Sequence, residues 1–220
     1  MLRMLRLNWS AMKCYRVRFL IIPVCLFVIG WFSSIFLVPM GAFLLFSFSL
    51  NPFAVEEKGD LNRLYLTLPV DRQAIVTGRF LLSFLLFGAG VLLGLAMMPL
   101  TNLVSFSKWY PDFKWSLALI AFSFLFYGIM SLAMYPLLFK MGYQKGKIWG
   151  YYVPAVLICL IYIAVMEYDI LVGNGTFILN LLVYASEHIL AVSGGMFAMG
   201  GILSALSYFL SLRLYGRREF

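Results

Sequence analysis

Charge is scarce in this chain. Asp, Glu, Lys and Arg make up 12% of its 220 residues, where a soluble domain carries about 25%. There is one histidine, His188, and there are three cysteines, Cys14, Cys25 and Cys159. The cysteines are odd in number, widely spaced and free of any CxxC pair, which argues against a disulfide framework and a cysteine metal site. In their place stand apolar residues, at 63%, and aromatic ones, at 18%. A soluble fold this small has too little interior to hide that much apolar surface. Composition thus excludes a soluble globular domain, a disordered chain and a secreted disulfide scaffold. Lipid is the solvent expected for most of the chain.

Catalytic words are missing as well. The sequence has no HExxH, no GxSxG with a plausible histidine partner and no paired aspartates for a magnesium–diphosphate site. His188 follows Glu187 at a span boundary and reads as a solvated or capping residue. Without a GxxxxGK[ST] loop the chain binds no nucleotide in the P-loop manner. Any energy used must come from another polypeptide.

What is present is a series of uncharged runs. No charge occurs in 19–55; since one span needs about 20 residues, this run suits two spans and a tight turn. Turn-compatible residues within it are Gly30, Ser33-Ser34 and Pro39-Met40-Gly41. Further uncharged runs follow, and the expected spans are 18–34, 36–54, 78–100, 115–139, 148–166 and 189–212. The fold class is therefore all-α: a polytopic membrane protein of six transmembrane helices.

The charges test this layout. Six spans place fifteen of the seventeen Lys and Arg on one face, leaving Lys108 and Lys114 on the other. Basic residues accumulate in cytoplasmic loops, so both termini are expected to be cytoplasmic. Four acids (Asp112, Glu167, Asp169 and Glu187) fall on the outer face. The net charge of +8 is then a matter of topology, and nucleic acid is not an expected partner. The first apolar stretch starts after 18 residues, is too long for the core of a cleavable leader and lacks an A-x-A-like site. Direct insertion into the bacterial inner (plasma) membrane is expected.

Three pieces are not spans. Residues 1–14 place Leu2, Leu5, Trp9 and Met12 at helical spacing among Arg3, Arg6 and Lys13, as in a helix lying in the membrane interface. The stretch 56–79 is the longest loop on the basic face. Leu61, Leu64, Tyr65 and Leu68 form one apolar helical face there. Asp60 can cap its start, Pro69 stops it near Leu68, and Asp71 can cap a second helix leading into the third span. That apolar stripe must bury itself against lipid, the bundle or a cytoplasmic partner. Residues 167–188 hold Gly173-Asn174-Gly175, a turn signal, then an apolar segment 176–186 too short to span. They read as a broken extracellular element.

The middles of the spans contain no ionisable residue, and such groups usually mark function in a membrane. An ion-coupled carrier would need a midplane site, and a membrane-embedded enzyme or its scaffold would need a polar cluster inside the spans. Both stand as alternatives without a supporting feature. Small residues recur at four-residue spacing (Gly90 with Gly94, Ala191 with Gly195, Gly201 with Ala205), a pattern that lets helices approach closely, within a bundle or across a dimer seam.

Asn51-Pro52-Phe53, Glu56-Glu57-Lys58-Gly59 and Leu66-Thr67-Leu68-Pro69-Val70-Asp71-Arg72 are the most specific words. Together with the layout they resemble the membrane (permease) subunit of bacterial ATP-binding-cassette exporters of the type-2 class. They are similar to the small permeases of that class that export phenol-soluble modulins, amphipathic toxin peptides of staphylococci. Asp71 stands where those permeases commonly have serine; both residues cap helices. The resemblance implies that 1–14 is an elbow helix and that 56–76 is a coupling loop. It further implies a second permease chain, as homo- or heterodimer, and a separate cytoplasmic ATPase subunit that binds ATP and Mg. This chain would hold no cofactor and would not itself be an enzyme. Glu57, Asp60, Arg63 and Leu64 would dock the ATPase, while Leu61, Tyr65, Leu68 and Pro69 would anchor the loop to its own bundle. A route without fixed charge suits amphipathic or hydrophobic cargo: peptide toxin, antimicrobial peptide, lipid or drug.

Overall fold

A computed structural model of the chain describes residues 16–59, 72–104, 111–171 and 176–216. The expected elbow helix 1–14, the turn 173–175 and most of the loop 56–76 lie outside the described residues. Among the described residues all regular structure is helical, as the composition predicts.

Helix α1, Arg16–Phe32, carries Pro23 inside an otherwise apolar run. It ends at Ser33, whose extended backbone (φ −157°, ψ 119°) turns the chain back. The return is one kinked rod, Ser34–Lys58. It comprises a 3₁₀ turn at Ser34–Phe36, α2 at Leu37–Ser47, a second 3₁₀ turn at Phe48–Leu50 and α3 at Asn51–Lys58. The turn falls at Ser33, and Pro39-Met40-Gly41 is helical. Pro39 occupies the first turn of α2, where a missing N–H costs no helical bond. The second 3₁₀ turn has a proline cause. Pro52 cannot donate to the Phe48 carbonyl, and the Asn51 N–H supplies that bond instead, one residue tighter.

Helix α4, Arg72–Asn102, and α5, Phe113–Met141, are long and apolar. Gly142 (φ 83°) terminates α5 in a conformation that favours glycine. Helix α6, Tyr143–Lys147, passes through a π turn, Ile148–Tyr152, into α7, Val153–Leu171. A proline again follows the irregularity. Pro154 has no N–H for the Gly150 carbonyl, and the Val153 N–H bonds back to Ile148, five residues earlier. Helix α8, Thr176–Glu187, has 12 residues, about 18 Å at the helical rise. Helix α9, Ile189–Gly216, completes the bundle. Among the described residues five stretches are long and apolar enough to cross a membrane: Ser34–Lys58, Gln73–Asn102, Phe113–Met141, Tyr143–Asp169 and Ile189–Gly216; Leu20–Phe32 is a shorter apolar helix.

Two helix pairs build the core: α5 with α9, and α2 with α4. Glycine permits both. A Cβ on Gly90 would lie 2.4 Å from the Gly41 carbonyl oxygen, and one on Gly94 would lie 2.6 Å from that of Leu37. The α5–α9 crossing uses Gly128 against Gly200, where a Cβ would meet backbone at 2.7 Å. Gly90 with Gly94 therefore packs within the bundle. Gly195 and Gly201 meet nothing within 4 Å and lie on the open face of α9.

Phe46, Phe53, Tyr127, Tyr135 and Phe139 join the two pairs as a buried aromatic column. Hydroxyls stitch the column to its neighbours. Ser83 and Thr77 already donate to the carbonyls of Phe80 and Gln73. Tyr127 therefore donates to Ser83 and Tyr208 to Thr77, each at 3.0 Å. Tyr135 donates to Ser49 at 3.0 Å. Polar side chains at membrane depth find partners across helices for want of water. Tyr135→Phe is expected to lower stability by about 0.6–1.7 kcal/mol, read as a small drop in the thermal midpoint in detergent. A midpoint equal to wild type would show that Ser49 does not need its tyrosine.

Candidate functional site

The end of α3, the start of α4, the α5–α6 corner and the end of α9 meet at one pole, where Glu57, Ile75, Met141 and Tyr215 line one cavity and Glu57 bonds Tyr143 and Gln144. Lys58, Arg72, Lys140, Lys145, Lys147 and Arg213 belong to these ends, and the pole is here called the basic end. There α3 leaves the bundle toward residues 60–71 and α4 returns from them, so this pole holds both roots of the loop singled out by sequence.

The roots are tied by an ion pair. Glu56 accepts a short hydrogen bond from Arg79 Nη2, and both are buried, at 8% and 3% exposure. The Arg79 guanidinium stacks over the Phe53 ring, 3.8 Å from its centroid. Its Nε and Nη1 are buried without a hydrogen-bond partner among the described residues. A guanidinium taken from water needs its charge met; here one carboxylate and one π-face share that work. Phe53 in turn packs edge-on against Phe139 of α5 at 5.2 Å, so the pair is anchored in the aromatic column.

Glu57 turns the other way. Its carboxylate accepts the backbone N–H groups of Tyr143 (2.6 Å) and Gln144 (3.2 Å), capping α6 as an acid at a helix start should. The α5–α6 corner beneath it is close-packed. A Cβ on Gly146 would meet the Leu138 Cα at 2.8 Å, and one on Gly150 the Met134 Cα at 2.9 Å. Lys147 lies over the rings of Tyr143 and Tyr152, at 5.7 and 5.1 Å. A cavity of about 240 Å³ opens between Phe53, Glu56, Glu57, Ile75, Phe139 and Tyr215.

Of the residues singled out by sequence, Glu57 falls within the described structure. Asp60, Leu61, Arg63, Leu64, Tyr65, Leu68 and Pro69 lie outside the described residues. Sequence reasoning missed Glu56, Arg79 and the backbone donors after Gly142. The available signal was an acid at the end of one apolar run and an arginine at the start of the next, since ionisable residues at a span margin need partners.

A helical bundle with five stretches among the described residues able to cross a membrane, its basic helix ends held together by buried and capping carboxylates, is a polytopic membrane protein. The chain belongs to the ABC-2 family: the family model described as "ABC-2 family transporter protein" matches residues 2–216. Comparison with curated proteins and with solved structures returned no match. The chain is thus a permease component of an ATP-binding-cassette exporter and a multi-pass protein of the inner membrane.

Proposed function

We propose that this chain is the membrane half of an ATP-driven exporter. It pairs with a second permease chain and docks a cytoplasmic ATPase subunit through the loop 56–76. ATP and Mg belong to that partner. Asp60, Arg63 and Leu64 meet the ATPase, while Glu57 at the root is taken up by the Tyr143 and Gln144 N–H groups of its own chain; Leu61, Tyr65, Leu68 and Pro69 hold the loop on its own bundle. The basic end is the cytoplasmic one, in keeping with the distribution of Lys and Arg. Closure of the ATPase pair displaces the loop and shifts the bundle between inward- and outward-open states, a bias no larger than the difference in its contacts with the two states. The cargo is amphipathic or hydrophobic.

The observation that best supports this reading is the stiff root of the loop. A force on residues 60–71 meets α3 and α4 at Glu56 and Arg79, which are buried, paired and braced by Phe53. Two loosely hinged helix ends would absorb the force instead.

Co-purification with an ATP-binding-cassette ATPase encoded beside this chain tests the partnership, with hydrolysis measured with and without residues 60–71. Arg63→Glu and Leu64→Trp are each expected to leave the chain folded but break the link between hydrolysis and export. Normal export together with normal ATPase stimulation in both variants would sink this docking surface.

A further inference from the structure

Glu56 and Glu57 are neighbours in sequence and hold different partners. Glu56 binds α4 through Arg79. Glu57 binds the start of α6 through two backbone N–H groups. From α6 the chain runs without a break through the π turn into α7. Helix α7 is loosely held along much of its length: Val156, Leu157, Leu160 and Ile161 are each more than half exposed, and its contact with α5 is sparse. By contrast, α6 sits tightly on the end of α5, with Gly146 against the backbone of Leu138. The end of α3 is thus hydrogen-bonded to the base of a helix that, among the described residues, packs on the core at Ala155 and Ile158, buries Asp169 near its far end and leaves its middle exposed.

We infer that Glu57 is a positioning residue that transmits movement of the loop 60–71 to α7. Its carboxylate links the first cytoplasmic turn to the second, so a displacement of α3 carries the 142–147 corner with it and swings the weakly packed α7. Glu56 and Arg79 keep α3 and α4 moving as one body, and Glu57 adds the third element. The inference rests on the reading that a partner ATPase moves that loop. It goes beyond that reading by naming the bond through which motion leaves the loop and the helix that receives it. Glu57 acts here on its own chain, through the turn, and the ATPase need not touch it.

Cys159, exposed on α7, supplies the probe. The permease–ATPase complex is reconstituted with Cys14→Ser and Cys25→Ser, and Cys159 is labelled with bimane. Emission is followed on adding ATP, with hydrolysis measured in the same sample. The variants are Glu57→Ala, Glu57→Gln, Tyr143→Pro and the double Glu57→Ala/Tyr143→Pro. Proline is tolerated at a first helical position, so Tyr143→Pro removes one donor and spares the helix. Glu57→Ala and Tyr143→Pro are each expected to cut the ATP-dependent emission change about tenfold, a usual size for coupling between sites. ATPase binding and hydrolysis stay near wild type. Glu57→Gln, which keeps an acceptor oxygen, recovers part of the response. The double variant is no worse than either single, as two changes to one bond should be. Amide exchange at Tyr143 and Gln144, measured on the permease alone, is faster in Glu57→Ala.

A full response in Glu57→Ala overturns the inference, and so does loss of ATPase binding in that variant, which makes Glu57 a docking contact. A wild-type chain that binds no ATPase and gives no ATP response defeats the functional reading and this inference with it. The exchange data would then still report whether the carboxylate caps the turn.

Discussion

Glu56→Ala is expected to cost about 3–5 kcal/mol, the usual penalty for breaking a buried ion pair from one side. Arg79→Ala is expected to cost less, though still more than any surface substitution in this chain. The asymmetry follows from what each change leaves behind. Without Glu56, the buried Arg79 guanidinium retains only the Phe53 ring as company among the described residues, its Nε and Nη1 already lacking partners there. Without Arg79, the Glu56 carboxylate still lines the cavity beside Glu57 and Tyr143, where water can meet it. Replacing both, as Glu56→Leu with Arg79→Met, should recover much of the loss, because apolar residues of similar volume often match or exceed a buried pair. Thermal midpoints of the four proteins in one detergent check the series. Two mild single variants, or a double variant worse than the sum of the singles, would mean that the pair is not what holds α3 to α4. If the double variant is stable but exports poorly, the pair contributes transmission as well as stability, as the stiff-root reading requires.

The architecture was legible because one variable, the spacing of charges, dominates it. Spans must be apolar and about 20 residues long, so Lys and Arg mark the ends. The irregularities were not legible from periodicity, although their causes sit in the sequence. Pro52 tightens the turn before it and Pro154 loosens the one before it. Before Pro52 the Asn51 N–H bonds three residues back to Phe48, and before Pro154 the Val153 N–H bonds five residues back to Ile148; which of the two occurs is a matter of packing. Pro39-Met40-Gly41 looked as able to turn the chain as Ser33-Ser34, yet α2 buries Val38 and Ala42 against α4, and a helix is what presents them. The site was half legible. Glu56-Glu57 stood out as a word, and the sequence reading set Glu57 toward the ATPase. Successive residues on a helix point about 100° apart, so one glutamate can face inward and the next sideways. Which does which depends on where Arg79 and the Gly142 turn come to lie, 23 and 86 residues away in the chain from their respective partners. Short-range spacing carries no record of either.

The glycine at position 90 is expected to be nearly irreplaceable, while Gly88, two residues away on the same helix, should tolerate alanine and gain by it. A Cβ on Gly90 would lie 2.4 Å from the Gly41 carbonyl oxygen and 2.7 Å from the Ala42 Cα, whereas one on Gly88 meets nothing within 4 Å. The obstacle at Gly90 is backbone and cannot swing aside as a flexible side chain could. Gly90→Val must therefore push α4 off α2, breaking the close approach that Gly94 continues one turn further on. Overpacking usually costs about 1–3 kcal/mol and occasionally more, and the upper end is expected here because two main chains must separate. Gly88→Ala carries only the propensity term, a gain of up to about 1 kcal/mol. Gly195→Ala on the open face of α9 should behave like Gly88→Ala in the isolated chain. The same thermal midpoints decide the matter: Gly90→Val far below wild type, Gly88→Ala and Gly195→Ala at or above it. A near-normal midpoint for Gly90→Val would show that α2 and α4 do not pack at these glycines. A Gly195→Leu variant that keeps its midpoint but loses its pairing with a second permease chain would place the open face of α9 at the seam between them, and unchanged pairing would leave that face to lipid.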